Sequence, residues 1–214
     1  MIYSDQFIWL HFPKMAGSAV ERIFQSHFRH DRSIVCDLVS PLLVRLRLAE
    51  PVWHDSVAER ASRRPGFSSE GKAVICGLRR LPDWLYSRHM FEVQRSPRLP
   101  HQIDRLIEGR FLEHTGAIGF ADDYMTKYLP PDLFNSGVVR IVRVDQFRDD
   151  FRAAFGDFID VDRIPERDFS RVRNKTRSSD PLAREMIGSH IRQIYESCPY
   201  WAEVEAVFYP NGQE

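Results

Sequence analysis

An α/β fold, with a central parallel sheet and helices on both of its faces, is what this sequence predicts. Three observations predict it. Continuous apolar runs of strand length recur at residues 7–12, 73–78 and 138–144. Segments with helical spacing of apolar residues follow them, and the two kinds of segment alternate along the chain. An unbroken apolar run of four to eight residues suits a strand buried on both faces, the usual condition in a parallel sheet covered by helices. Alternation of such strands with helices is the pattern of βαβ units.

The elements read as follows. Phe7-Ile8-Trp9-Leu10-His11-Phe12 is the first buried strand, ended by Pro13, and a short loop at 13–18 leads into a helix carrying Val20, Ile23, Phe24 and Phe28 on one face. Ile34-Val35-Cys36 reads as a short strand, and 55–63 as a helix capped by Asp55 or Ser56. Residues 65–71 are a loop, and Ala73-Val74-Ile75-Cys76-Gly77-Leu78 is a second buried strand. A helix runs from about Pro82 into the low 90s, before Pro97 and Pro100. Residues 103–129 read as mostly helical, interrupted near Gly116 and Gly119. Residues 138–144 form a strand, and Phe147, Phe151, Ala154 and Phe155 share one helical face. Asp180-Pro181 opens the last clear helix, with proline at its first position and an apolar stripe of Met186, Ile187, Ile191, Ile194 and Tyr195.

Length and composition bound the class. A chain of 214 residues fits one domain, taken here as 1–214, and neither a repeat nor a linker divides it. With 30 basic and 30 acidic residues the net charge is zero, which argues against nucleic acid or an anionic membrane as whole-surface partners. Cys36, Cys76 and Cys198 are an odd count without close pairing, as expected of free thiols in a reducing compartment, and Cys76 sits within an apolar run as a small core residue. The apolar runs are too short to span a bilayer, and the N-terminus lacks a basic segment before a long apolar stretch. A cytoplasmic protein without a transmembrane segment is expected. Oligomeric state is not readable.

The loop Pro13-Lys14-Met15-Ala16-Gly17-Ser18-Ala19 is the most informative segment. A turn from a buried strand into a helix aims backbone N–H groups and the positive end of the helix dipole at whatever lies before it, which favours an anion. Gly17 permits close backbone approach, Lys14 can supply a charge and Ser18 a hydroxyl. The loop is not a Walker A motif. That motif places its lysine after the second glycine, whereas Lys14 precedes the loop's glycine by three residues.

The stretch Ile8-Trp9-Leu10-His11-Phe12-Pro13-Lys14-Met15-Ala16-Gly17-Ser18 resembles the 5′-phosphosulfate loop of sulfotransferases, an apolar strand followed by His-x-Pro-Lys-x-Gly-Gly-Thr/Ser. Ala16 replaces the usual first glycine. A second motif follows in family order. Gly77-Leu78-Arg79-Arg80-Leu81-Pro82-Asp83-Trp84-Leu85-Tyr86-Ser87 is similar to the strand end, arginine and serine eight residues on that hold a 3′-phosphate in that family. Leu81 stands where proline is usual, so either Arg79 or Arg80 could be the ligand. Asp145, in Val144-Asp145-Gln146-Phe147, occupies the family's acidic position, with a structural role. Val172-Arg173-Asn174-Lys175-Thr176 resembles a late Asn-Lys-Ser element near the nucleotide, and Tyr200 to Tyr209 is similar to the aromatic close of many members.

The resemblance implies a P-loop-like sulfotransferase fold and sulfuryl transfer from 3′-phosphoadenosine 5′-phosphosulfate (PAPS), leaving adenosine 3′,5′-bisphosphate (PAP), without a metal. It implies a donor site formed by Lys14, Ala16, Gly17, Ser18, Ala19, Arg79, Ser87 and Lys175. Lys14 would neutralise charge on the bridging oxygen. An acceptor hydroxyl also needs a base, and His54 in Trp53-His54-Asp55-Ser56 is the candidate, because an ordinary histidine pKa near 6.5 suits that work. His11, Asp55 and Glu21 are weaker alternatives. The acceptor is expected to be a carbohydrate or small metabolite. Arg45, Arg47, Arg60, Arg63 and Arg64 could meet an acidic acceptor, though a solvated helix face is the plainer reading. A P-loop-type nucleotide-dependent kinase and a catalytically inactive PAP(S)-binding protein are the competing readings.

Overall fold

The structure is a computed structural model and describes residues 1–37, 54–170 and 179–210. In chain order its elements are β1 (Ile2–Tyr3), β2 (Phe7–Leu10), α1 (Gly17–His27), β3 (Val35–Cys36), α2 (Val57–Arg63), β4 (Ala73–Leu78), α3 (Leu81–Arg95), β5 (Arg110–Leu112), β6 (Ile118–Phe120), α4 (Ala121–Tyr128), α5 (Pro131–Phe134), β7 (Val139–Arg143), α6 (Phe147–Phe155), α7 (Glu166–Ser170), α8 (Pro181–Ser189), α9 (Ile191–Ser197) and α10 (Pro199–Phe208). They form two compact units. One comprises Met1–Leu78 and Asp132–Arg173, the other Arg79–Pro131 and Asn174–Glu214.

The first unit holds a five-stranded sheet in the order β3-β1-β2-β4-β7. Strands β2, β4 and β7 are parallel, with Trp9 beside Ile75 and Cys76 beside Ile141. The sheet is mixed, which corrects the expectation of an all-parallel one. β1 runs antiparallel to both β2 and β3. A tight turn makes this possible, in which the Ser4 hydroxyl accepts from the backbone N–H groups of Gln6 and Phe7 at 3.1 and 3.2 Å. A strand of two residues shows no period in sequence, so the pairing could not be read there.

Alternation along the strands sorts the core. Phe7, Trp9, Ile75 and Val142 share one face with Val20, Ile23, Phe24 and Phe28 of α1 and its end, and with Phe151, Ala154 and Phe155 of α6. The rings of Phe24 and Phe155 lie 5.3 Å apart, and those of Phe7 and Phe155 5.5 Å. Each such ring contributes roughly 1.5–3 kcal/mol by leaving water. Ile8, Leu10, Val74 and Cys76 point from the other face and are also fully buried, which explains why β2 and β4 read as unbroken apolar runs. Burial at Cys76 raises its thiol pKa far above the ordinary value. α6 is tied to β7 by Asp150, which accepts from the Arg143 guanidinium at 2.7 and 2.8 Å and from the Arg143 backbone N–H at 2.8 Å. Asp150 is thus an acidic anchor of the strand–helix corner, and Asp145 lies in the preceding turn.

The second unit packs α3, α4 and α10 around Trp84, Phe111, Tyr124 and Trp201, with Trp84 and Trp201 rings 4.6 Å apart. Residues 103–129 depart from the helical expectation. Ile103–Glu108 is a 3-10 helix, β5 and β6 form an antiparallel hairpin, and only Ala121–Tyr128 is α-helical. Gly109 and Gly116 both adopt positive φ, 70° and 85°, and end the preceding segments where a side chain would strain the backbone. The helix expected from Asp180-Pro181 is two, α8 and α9, which break at His190, and a further helix, α10, starts at Pro199. The supposed stripe is therefore split, and Ile191 is exposed.

Asp180 caps α8 through the Ala183 N–H at 3.0 Å and is approached by His89 of α3 at 3.3 Å. Burial lowers the His89 pKa from 6.5, outweighing the raising effect of Asp180, and nearby His101 adds to the lowering. The folded state therefore resists a proton that the unfolded chain accepts, so the associated stability is complete above pH 6.5 and is lost as pH falls from there through the lower folded value. Urea melts across this range should show the decline, and His89→Gln should flatten it. An unchanged slope in that variant would exclude His89 as the cause. Among the described residues no helix is long and apolar enough to cross a membrane.

Candidate anion loop and strand-end arginine

The loop between β2 and α1 is built by alternation. Phe12, Pro13, Met15 and Gly17 are buried, whereas Lys14, Ala16, Ser18 and Ala19 are only partly covered. Met15 is pinned by its N–H to the Phe12 carbonyl at 3.3 Å. Lys14 and Ala16 both take the left-handed conformation, with φ of 67° and 61°, and Met15 between them does not. Left-handed residues alternating with right-handed ones turn successive N–H groups toward one side, forming a concavity suited to an anion. Ala16 also holds the N-cap of α1, where its methyl offers no cap, and the first turn, Gly17 to Val20, carries no carboxylate. The positive end of α1 is thus left without an acidic side chain of its own.

Left-handed geometry at Ala16 accounts for the glycine that the resembling pattern has there. A Cβ in this region costs roughly 1–2 kcal/mol. Ala16→Gly should relieve part of that, offset by the greater freedom of glycine in the unfolded chain, for a net gain of about 0.5 kcal/mol. A thermal melt checks it, and a lower Tm would contradict the assignment of strain to Ala16.

Two glycines surround the loop for steric reasons. A Cβ on Gly77 of β4 would lie 2.2 Å from the Met15 carbonyl oxygen and 2.8 Å from Met15 Cβ. A Cβ on Gly17 would lie 2.0 Å from Cδ2 and Nε2 of His11. The His11 ring thus supplies a steric reason for Gly17, beside the close backbone approach to a phosphate expected there. Gly77 lets the loop lie directly on the strand beside it.

The structure brings His54 to this loop. Its Nδ1 lies 2.9 Å from the backbone oxygen of His11, and the two imidazole rings meet edge to face at 4.6 Å. His11 Nδ1 in turn lies 2.6 Å from Glu21 Oε1 on α1. Burial works to raise the Glu21 pKa, but the hydrogen bond from His11 and the neighbouring positive charges prevail and hold it low. His54 is positioned from its other side by the start of α2. Ser56 and Glu59 form a reciprocal capping box, with distances of 3.3 and 2.8 Å. Asp55 is buried between Arg63 at 2.7 Å and Arg60 at 3.6 Å, and Arg60 also pairs with Asp37. Asp55 is therefore an anchor for α2, not a base. Arg60 and Arg63 serve this ion network, while Arg64 contacts the Tyr3 hydroxyl. Arg45 and Arg47 lie outside the described residues.

Arg79 and Ser87 belong to the second unit. Arg79 directly follows β4, and Ser87 lies two turns into α3, where it is half-buried. The turn at 79–81 is fixed by α10. Trp201 Nε1 donates to the Arg79 carbonyl at 3.4 Å, and Glu205 Oε2 accepts from the Leu81 N–H at 2.9 Å, capping α3 from a distant helix. Burial raises the Glu205 pKa. Arg80 is held by Glu205 at 3.7 Å and lies 4.6 Å over the Tyr209 ring. The guanidinium of Arg80 thus has a structural task. No signal within 79–89 points to it, because its partners sit some 120 positions later. Glu21 and Glu205 were legible as residue types but not as partners. Lys175 lies outside the described residues. Comparison with protein-family models, with curated proteins and with solved structures finds no match to this chain.

Proposed function

We propose that this chain is a PAPS-dependent sulfotransferase with a P-loop-like sulfotransferase fold. One observation carries the reading: the pair of left-handed residues Lys14 and Ala16 in a lysine-bearing loop at the uncapped start of α1. Such a loop suits the phosphosulfate of the donor, with Lys14, Ser18 and the loop N–H groups as its donors. Arg79, leaving the carboxyl end of β4, together with Ser87, suits the 3′-phosphate, where a fork-shaped cation and a hydroxyl match a doubly charged group. Ligands of open α/β sheets lie at strand carboxyl ends, which favours both positions.

In the proposed reaction the acceptor oxygen attacks sulfur while its proton passes to His54. The new O–S bond forms as the bond from sulfur to the bridging phosphate oxygen breaks. That oxygen keeps the electron pair, Lys14 meets the growing charge, and the products are a sulfate ester, PAP and a proton released from His54. A carbohydrate or small-metabolite hydroxyl is the proposed acceptor, by analogy with the resembling family.

The test is PAP binding without magnesium, beside ATP with magnesium. Micromolar PAP binding supports the donor site. ATP–magnesium binding in its place returns the kinase reading, and PAP binding without turnover over a broad panel of hydroxyl acceptors makes the chain a nucleotide-binding protein.

A further inference from the structure

We propose, resting on the sulfotransferase reading, that Glu21 and His11 are positioning residues that fix His54 in the tautomer a general base requires. A backbone carbonyl oxygen can only accept, so the ring nitrogen 2.9 Å from the His11 oxygen, Nδ1, carries hydrogen. In the neutral ring the lone pair then sits on Nε2, the nitrogen that takes the acceptor's proton.

His11 is the node of this arrangement. Its backbone receives His54, and its side chain is held on two sides. Glu21 takes the Nδ1 hydrogen at 2.6 Å, and the edge bearing Cδ2 and Nε2 lies where a Gly17 Cβ would be. The same ring supports the His54 ring edge to face at 4.6 Å. A carboxylate on α1, an imidazole at the exit of β2 and the imidazole before α2 are therefore linked in one chain of contacts. His11 is buried with its Nδ1 on Glu21, whereas His54 is only partly covered, which separates the two as base candidates. Glu21, ten residues from His11, acts through it.

Histidine ring nitrogens report this directly. The full chain, labelled with ¹⁵N-histidine, is examined by two-bond ¹H–¹⁵N correlation at a pH well above the ordinary imidazole value of about 6.5. Loss of individual signals in His54→Gln and His11→Gln assigns the two rings. Both are expected to show hydrogen on Nδ1 and a bare Nε2. Glu21→Ala frees the His11 ring, withdraws its edge-to-face support from the His54 ring held against the His11 carbonyl, and should convert His54 to a mixture of tautomers. Glu21→Gln, whose side-chain carbonyl still accepts from Nδ1, should restore the single form. Should an acceptor be found, Glu21→Ala is expected to lower kcat about 10²-fold with the KM for PAPS unchanged.

Hydrogen on His54 Nε2 in the unaltered protein overturns the proposal, and this holds even if Glu21→Ala does not fold. So does a single unchanged His54 tautomer in a folded Glu21→Ala. The spectra read hydrogens and not nucleotides, so a failure to bind PAP would sink the sulfotransferase reading while leaving the Glu21–His11–His54 arrangement measurable.

Discussion

Gly77→Ala is expected to destabilise the protein by about 1–3 kcal/mol and to lower PAP affinity more than tenfold, although residue 77 supplies no ligand group. The added methyl meets the Met15 carbonyl oxygen at 2.2 Å, inside the distance any real Cβ tolerates. Strand β4 cannot retreat, because it is paired on both sides, to β2 and to β7. Met15 is itself fully buried, so the loop must move as a whole. Lys14 and Ala16 flank Met15, and their left-handed geometry would be lost with it. Gly188→Ala is the control. That glycine is exposed in α8 with open space around it, and alanine there should stabilise by about 0.5–1 kcal/mol through helix propensity. Denaturant melts and a PAP titration on both variants decide the matter. Unchanged PAP binding in a destabilised Gly77→Ala would remove the loop from the account.

Arg79→Ala and Arg80→Ala should part company. A charge-assisted hydrogen bond is worth about 1.5–3 kcal/mol, so Arg79→Ala should weaken PAP binding by about 10- to 100-fold. Arg80→Ala removes the contacts with Glu205 and Tyr209. It should cost about 1 kcal/mol of stability, discounted for the exposure of its guanidinium, and leave PAP affinity within a few-fold. A larger affinity loss in Arg80→Ala than in Arg79→Ala would reverse the assignment.

The parts of the fold that were legible are those whose signal is local. Strands β2 and β4 and the core of β7 lie within their apolar runs, and Ser56 caps α2 through a motif spanning four residues. The hairpin of β5 and β6 was not legible. Three-residue strands are too short to display a period of two. The antiparallel edge was missed for the same reason at Ile2–Tyr3. Within the site, the loop residues 14 to 19 were found because a strand, a lysine and a helix start are consecutive. What sequence could not supply is which neighbour takes each polar group. His11 pairs with Glu21, His54 with the His11 carbonyl, and Arg80 with Glu205, and each pairing is made by the tertiary fold. The steric reason for Gly17 was likewise hidden, since nothing in the sequence places the His11 ring against it.

In the proposed function the loop at the start of α1 binds the phosphosulfate end of a PAPS-type nucleotide. Calorimetric titration of PAP, without magnesium, into the unaltered protein and Lys14→Ala tests it most directly. Micromolar binding that weakens by about 10- to 100-fold in Lys14→Ala is expected. Absence of PAP binding by the folded, unaltered protein, or equal binding by both, would contradict it.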